Sequence, residues 1–282
     1  MFNGQFIFDY DNWHIVIGTL DNCHELEEKL DDEGGYGITH LCKVEKLDGA
    51  LFSLDESYKI IKAFCYYLSF ARGFWIAPIL LSGFDSEGNE LFEEWRTPIL
   101  PCDSYRPSHS WMPYSDSLDI VDIYPGFVDK WKDEVWHITI KNTIEWYIES
   151  LNTNLNTGII LVQASLEKIA WTYLKSNECL NSDGFQGIRA SNQIRLLLKF
   201  LNINIEPLDN YVEVKKKAKE LNWDDTIVAV IEVRNAIVHP RVKKSKNSEF
   251  LSDELLRETF WIGHNYLEQC LLKLFCSNYP FD

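Results

Sequence analysis

Apolar residues recur at helical spacing from Phe127 onward, whereas before that point they alternate in short runs. In the earlier part, Gln5 to Tyr10, His14 to Leu20, Thr39 to Val44 and Leu51 to Leu54 carry the two-residue period of half-buried strands. Ile79-Leu80-Leu81 and Leu91-Phe92 flank the turn cluster Asp85-Ser86-Glu87-Gly88-Asn89, which predicts a hairpin. A single helix is expected among these strands, from Asp55 to Arg72, with Ile60, Ile61, Phe64, Cys65 and Leu68 at helical spacing. An Asp or Ser caps its start and Gly73 ends it.

The later part predicts helices at about 127–150, 156–176, 189–201, 208–222, 224–239 and 252–275. Between 156 and 176, Ile159, Ile160, Val162, Leu166, Ile169, Ala170 and Tyr173 leave almost no polar face, the mark of a bundle's central helix or a dimer contact. Five of the nine prolines fall between 97 and 126, which puts the join near Pro125-Gly126. The expected fold class is α+β: a β-rich domain with one helix over 1–126, then an antiparallel helical bundle over 127–282.

Composition narrows the class. At 46% hydrophobic residues with ten tryptophans, the chain has material for packed cores and not the profile of a disordered protein. Its most apolar stretch, 60 to 84, is interrupted by Lys62, Arg72 and Pro78, too often to span a bilayer. The N-terminal residues lack the basic and apolar blocks of a signal peptide, so a cytoplasmic location is expected. The seven cysteines include no C-x-x-C pair, which predicts reduced thiols. Cys23-His24 and His40-x-Cys42 match no common zinc spacing, and no metal or other cofactor is expected.

Charge is uneven. Residues 1–130 hold 9 Lys and Arg against 23 Asp and Glu, and residues 131–282 hold 18 against 20, so the net −16 is concentrated at the N-terminal side. A bulk field of that sign repels nucleic acid, and any RNA contact must be local. Two basic runs qualify: Lys215-Lys216-Lys217-Ala218-Lys219, and Arg241, Lys243, Lys244 and Lys246. Each also reads as an ordinary solvated surface.

The candidate chemistry lies in the helix expected to open at Asp224. At 100° per residue, Ile227, Val230, Ile231, Ile237 and Val238 share a stripe and Arg234 falls within it, where a guanidinium loses hydration unless an anion or carbonyl meets it. Asn235 and His239, four apart, stand side by side, and Pro240 ends the helix at His239. One reading pairs Arg234 with a buried acid such as Glu167 and lets His239 cap carbonyls. The other makes Arg234, Asn235 and His239 a reactive set.

The segment Arg234-Asn235-Ala236-Ile237-Val238-His239 in the penultimate helix of a bundle resembles the R-N-x-x-x-H signature of the HEPN superfamily, over roughly residues 150 to 275. Gln163 to Lys168 and Ser191 to Leu197 resemble other core helices of these domains in pattern. A β-rich domain followed by a HEPN-like one is similar in architecture to ApeA-type prokaryotic defence proteins. The resemblance implies a metal-independent endoribonuclease acting as a homodimer, with RNA as substrate and Arg234, Asn235 and His239 as catalytic residues. Arg241, Lys243, Lys244 and Lys246 would then track the RNA backbone. The alternative it admits is a catalytically silent HEPN-like module for RNA or nucleotide binding or for assembly. Toxins controlled by adenylylation carry a tyrosine two places after the histidine, where this chain has Arg241. The N-terminal domain has no Walker loop, G-x-S-x-G or H-E-x-x-H. It is expected to meet a ligand or protein trigger, with Trp75, Trp95 and Trp111 as candidate aromatics or as core.

Overall fold

The computed structural model describes residues 5–95, 97–98, 100–112, 119–177, 184, 187–239 and 251–277. It divides into two compact units, with the division between Asp129 and Lys130. The expected join at Pro125-Gly126 lies inside a helix, Asp119–Lys132 (α3).

The first unit builds an antiparallel sheet from β1 (Gln5–Tyr10), β2 (Trp13–Thr19) and β3 (His40–Lys46), in that order. Phe8 and Ile15 stand opposite each other and are both buried, so this register commits one face to the core. Helix α2 (Leu54–Arg72) packs there, with the Phe8 ring 5.0 Å from Phe64 and 5.3 Å from Tyr124 of α3. A capping box starts α2: Ser53 Oγ accepts from the Glu56 N–H, and Glu56 accepts from the Ser53 N–H. Gly73 closes α2 in the left-handed conformation, as the pattern predicts. The strand expected at Leu51–Leu54 is absent, because Ser53 and its cap commit that segment to the helix start.

A second helix, α1 (Cys23–Glu33), stands where none was expected. Cys23, Leu26 and Leu30 carry its helical spacing, but the acidic residues between them hide the period. The expected hairpin forms as β4 (Leu81–Phe84) and β5 (Glu90–Glu94). Around Cys23, His24, His40 and Cys42, no group of three metal-ligating side chains gathers among the described residues.

The second unit contains α4 (His137–Asn152), α5 (Leu155–Ser176), α6 (Ala190–Phe200), α7 (Val212–Leu221), α8 (Thr226–Val238) and α9 (Asp253–Phe275). The helix expected at 127–150 is two, because the Asp133 carboxylate accepts from the Val135 and Trp136 N–H groups and turns the chain between them. The helix expected at 208–222 opens as a 3-10 turn, Leu208–Asn210, ahead of α7. The fold class is α+β, a small sheet region followed by a mostly helical part.

Two glycines set the helix spacing in this bundle. A Cβ on Gly263 of α9 would lie 2.8 Å from Val162 of α5 and 3.4 Å from Val230 of α8, and a Cβ on Gly158 would lie 2.9 Å from the Phe260 ring. These contacts also fix direction. Gly158 meets Phe260 and Val162 meets Gly263, so α5 and α9 run parallel. Thr226 hydrogen-bonds Tyr266 while Val230 meets Gly263, so α8 runs against them. Thr139 bonds Thr172 at 2.8 Å and the Ser150 carbonyl lies against Gly158, so α4 also opposes α5. The C-terminal turn of α8 therefore stands at the end of the bundle where α5 and α9 begin and α4 finishes.

Candidate active site at the end of the penultimate helix

The sequence around the motif is apolar on nearly every side, and its packing matches. Helix α8 contacts α5, α6, α7 and α9, and Thr226, Ile227, Ala229, Val230, Ile231 and Val233 are buried. The enclosure expected for 156–176 thus belongs also to this helix. Burial ends abruptly in the last turn: Arg234, Asn235, Ala236 and Ile237 are half-buried, and Val238 and His239 are exposed. The motif sits where a rigid core element emerges at the surface.

The helix starts at Asp225, one residue later than expected, because the Asp225 carboxylate accepts from the Val228 N–H at 2.9 Å. Arg195 of α6 donates its Nε–H to the same carboxylate at 2.6 Å and an Nη1–H to Asn192. At the other end His239 takes φ −122 and ψ 69, so the helix stops at Val238, as expected from the proline that follows. The angle between Arg234 and His239 is therefore not that of an ideal helix, since His239 lies outside it.

Arg234 donates from Nη1 to Asn235 Oδ1 at 3.3 Å. Its Nε is buried with no hydrogen-bond partner among the described residues. The pairing with Glu167 does not form, and Glu167 instead accepts from the Gln163 amide at 2.7 Å. Helix register explains this. Arg234 is level with Thr259 of α9 and with the first turn of α5, and Glu167 lies about two and a half turns further along α5, beyond the reach of a guanidinium. A buried, unpaired donor of this kind is costly and uncommon.

Two helix N-termini, those of α5 and α9, face the same end of the bundle. They carry partial positive charge, offset in α9 by Asp253 and Glu254 in its first turn. Asn154 and Ser252 cap them through the Thr157 and Leu255 N–H groups. Chemically, the last turn of α8 with His239 offers one guanidinium, one amide and one solvent-accessible imidazole within two turns of chain. That set is able to bind an oxyanion and move a proton.

Three of the four lysines in the basic run on α7 are ion-paired. Lys215 pairs with Asp209 at 2.8 Å, Lys216 with Glu213 at 3.4 Å and Lys217 with Glu220 at 3.0 Å. The other basic run, Arg241, Lys243, Lys244 and Lys246, lies outside the described residues. In the N-terminal unit Trp75 and Trp111 are core, whereas Trp95 is 75% exposed. Among the described residues no helix is long and apolar enough to cross a membrane.

Sequence reasoning missed two supports of the site. Arg195 lies thirty residues before its partner Asp225, with no local pattern to connect them. Glu258 of α9 accepts from the N–H groups of Val212, Glu213 and Val214 at 3.0, 2.9 and 2.8 Å, holding the start of α7. Both are contacts of tertiary structure and leave no mark on sequence periodicity.

Comparison with known proteins gives two family matches. Residues 1–108 match the YopA central domain and residues 133–279 match the YopA C-terminal domain. The chain is similar to the SPbeta prophage-derived uncharacterized protein YopA of Bacillus subtilis (strain 168), 26% identical over 249 residues, which are 85% of this chain and 54% of the relative. The chain thus spans about half the length of the curated relative it matches. No solved structure matches it. The gap between the two matched segments brackets the division between the two units.

Proposed function

This chain belongs to the YopA family, through its central and C-terminal domains, and we propose that its C-terminal domain is a metal-independent endoribonuclease of HEPN type with Arg234, Asn235 and His239 as its catalytic residues. The observation that carries this reading is the half-buried Arg234, whose Nε has no partner among the described residues and whose Nη1 contacts Asn235 in the last turn of α8. A structural arginine would be expected to meet a carboxylate there. A phosphodiester oxygen supplies the missing acceptor.

In the reaction, the ribose 2′-hydroxyl attacks the adjacent phosphorus and the 5′-oxygen leaves, giving a 2′,3′-cyclic phosphate and a 5′-hydroxyl. His239 carries a proton from the 2′-oxygen or to the 5′-oxygen, and its exposure allows that exchange. Arg234 holds the charge growing on the non-bridging oxygens, and Asn235 orients the guanidinium it touches. Only one imidazole and one guanidinium belong to each motif, so a second copy of the chain brings the complementary pair across a shared groove. The RNA backbone then passes toward Arg241, Lys243, Lys244 and Lys246. The cellular role is anti-phage or stress defence in the cytoplasm, with the N-terminal unit receiving the trigger.

The test is incubation of the purified chain with mixed RNA in the presence of EDTA, beside Arg234→Ala and His239→Ala. Cyclic-phosphate ends that appear with the parent chain and vanish with both variants bear the proposal out. Equal cutting by all three, or none under any condition, leaves an RNA-binding or assembly module instead.

A further inference from the structure

The hairpin β4–β5 presents large apolar side chains and open strand edges at its surface. Its sheet has two strands only, so each keeps one outer edge unpaired among the described residues, and a pair of strands by itself is marginal in water. Phe84 is 57% exposed, Leu91 66% and Trp95 75%, three large apolar side chains open to solvent on or beside this hairpin. The ring of Phe92 lies directly across Gly83, where a Cβ would be 2.1 Å from it, so the hairpin is ordered by its own cross-strand contact. The pairing passes from Gly83–Phe92 to Phe84–Glu90, which leaves Leu91 as an extra residue on β5. The regular edge is therefore that of β4.

Charge and shape select an occupant. Between Ile79 and Trp95 there are five acids, Asp85, Glu87, Glu90, Glu93 and Glu94, and no lysine or arginine. At the foot of the hairpin a shallow open cleft is lined by Ile61, Ile79, Leu80 and Pro98, with Tyr58, Glu94 and Thr97 as its polar members. The Tyr58 hydroxyl donates to both Glu94 oxygens, at 2.7 and 2.6 Å, which fixes the carboxylate against the apolar wall. A long aliphatic stem ending in a cation matches that lining, as the stems of arginine and lysine lie on apolar surface while their heads reach a charge. Nucleic acid does not match it.

We propose that the edge of β4 binds an extended basic segment of a partner protein, which adds as a third strand and lays the stem of one arginine or lysine along the cleft beside Glu94. Main-chain hydrogen bonds along Leu81–Phe84 supply the affinity and the cleft supplies the choice of side chain. Such binding would suit the unit that receives a trigger, but the inference stands on the hairpin and not on the nuclease reading.

The experiment titrates the full chain at physiological salt with labelled short peptides read by fluorescence anisotropy. One alternates arginine and valine, the second alternates glutamate and valine, and the third is the first with alternate amides N-methylated. The basic peptide is expected to bind, to protect the amides of residues 81–84 from hydrogen exchange, and to weaken roughly tenfold against Glu94→Gln. The acidic and N-methylated peptides are expected not to bind. Thermal unfolding of Glu94→Gln that coincides with the parent chain shows that the variant is folded. Failure of the basic peptide to bind below millimolar overturns the proposal, as does binding that survives N-methylation or Glu94→Gln, or protection located elsewhere.

Discussion

Arg195 and Asp225 meet at 2.6 Å, and through that pair the start of the motif helix is tied to α6. The Asp225 carboxylate serves two donors at once, the Arg195 Nε–H and the Val228 N–H that opens α8. Losing the cap exposes an unpaired helix amide, whereas losing the arginine leaves the cap in place. Asp225→Ala is expected to cost about 1 to 2 kcal/mol of stability, and Arg195→Ala less, about 0.5 to 1 kcal/mol, because the pair is partly solvated. Urea unfolding of both single variants and the double variant checks this. Coupling is expected, with the double variant losing less than the sum of the singles.

The start of α7 depends on a residue far along the chain. Glu258 takes three consecutive backbone N–H groups, those that a helix's first turn leaves without partners. Val212 is 73% exposed, so water partly replaces a lost acceptor. Glu258→Ala is therefore expected to cost about 1 to 2 kcal/mol rather than a full buried hydrogen-bond penalty. Hydrogen exchange should quicken at Val212 to Val214 before it does in α8.

What the sequence made legible follows from the range of each interaction. The capping box at Ser53, the turn at Asp85 to Asn89 and the end of α8 before Pro240 are signals contained within a few residues, and all three elements lie where the pattern put them. Helix α1 escaped notice because a surface helix with three inward residues has a weak period. Asp224 and Asp225 are equally good caps by type, and Asp225, which caps, also meets Arg195, a neighbour that only the folded chain brings near. The proposed partner of Arg234 failed for the same reason. Helix direction decides what stands level with it, and direction is recorded in the contacts of Gly158 and Gly263 rather than in spacing. Motif residues were legible as types, and their exposure was not.

At Gly263 three helices meet with no room for a side chain. An alanine there would place its methyl 2.8 Å from Val162 and 3.4 Å from Val230, so α5 and α8 must move apart. Gly263→Ala is expected to destabilise the bundle by about 1 to 3 kcal/mol, the usual cost of overpacking a dense core. Adding Val162→Ala removes the nearer obstacle. The double variant is expected to be more stable than the two single effects sum to, measured by denaturant midpoints.

Tyr266 gives the second unit an alkaline limit. Burial pushes its hydroxyl up from 10.0 to about 12, opposed in part by its bonds to Thr226 and to the Glu206 N–H. Below pH 10 the hydroxyl is protonated in folded and unfolded chains alike, and its contribution is whole. Between 10 and 12 the unfolded chain loses the proton first, so stability falls with rising pH across that window. Tyr266→Phe is expected to lower stability at neutral pH by about 1 to 2 kcal/mol through the lost hydrogen bonds. It should also make the alkaline decline shallower, as followed by urea midpoints against pH.

The proposed composite site makes a prediction that neither single variant does. If Arg234 of one protomer acts with His239 of its partner, a homodimer of Arg234→Ala has no complete pair, and neither has a homodimer of His239→Ala. A mixed dimer differs. One of its two combinations carries both substitutions and the other carries none, so one working pair returns. Random exchange of two inactive variants makes half the dimers mixed, and recovery of about one quarter of the parent RNA cleavage is expected when they are combined in equal amounts. The recovery must grow with incubation time as subunits exchange, and must be lost if each variant is crosslinked as its own dimer beforehand. If both groups act within one protomer, mixing restores nothing at any ratio, and the shared-groove arrangement is wrong even if the chain cuts RNA.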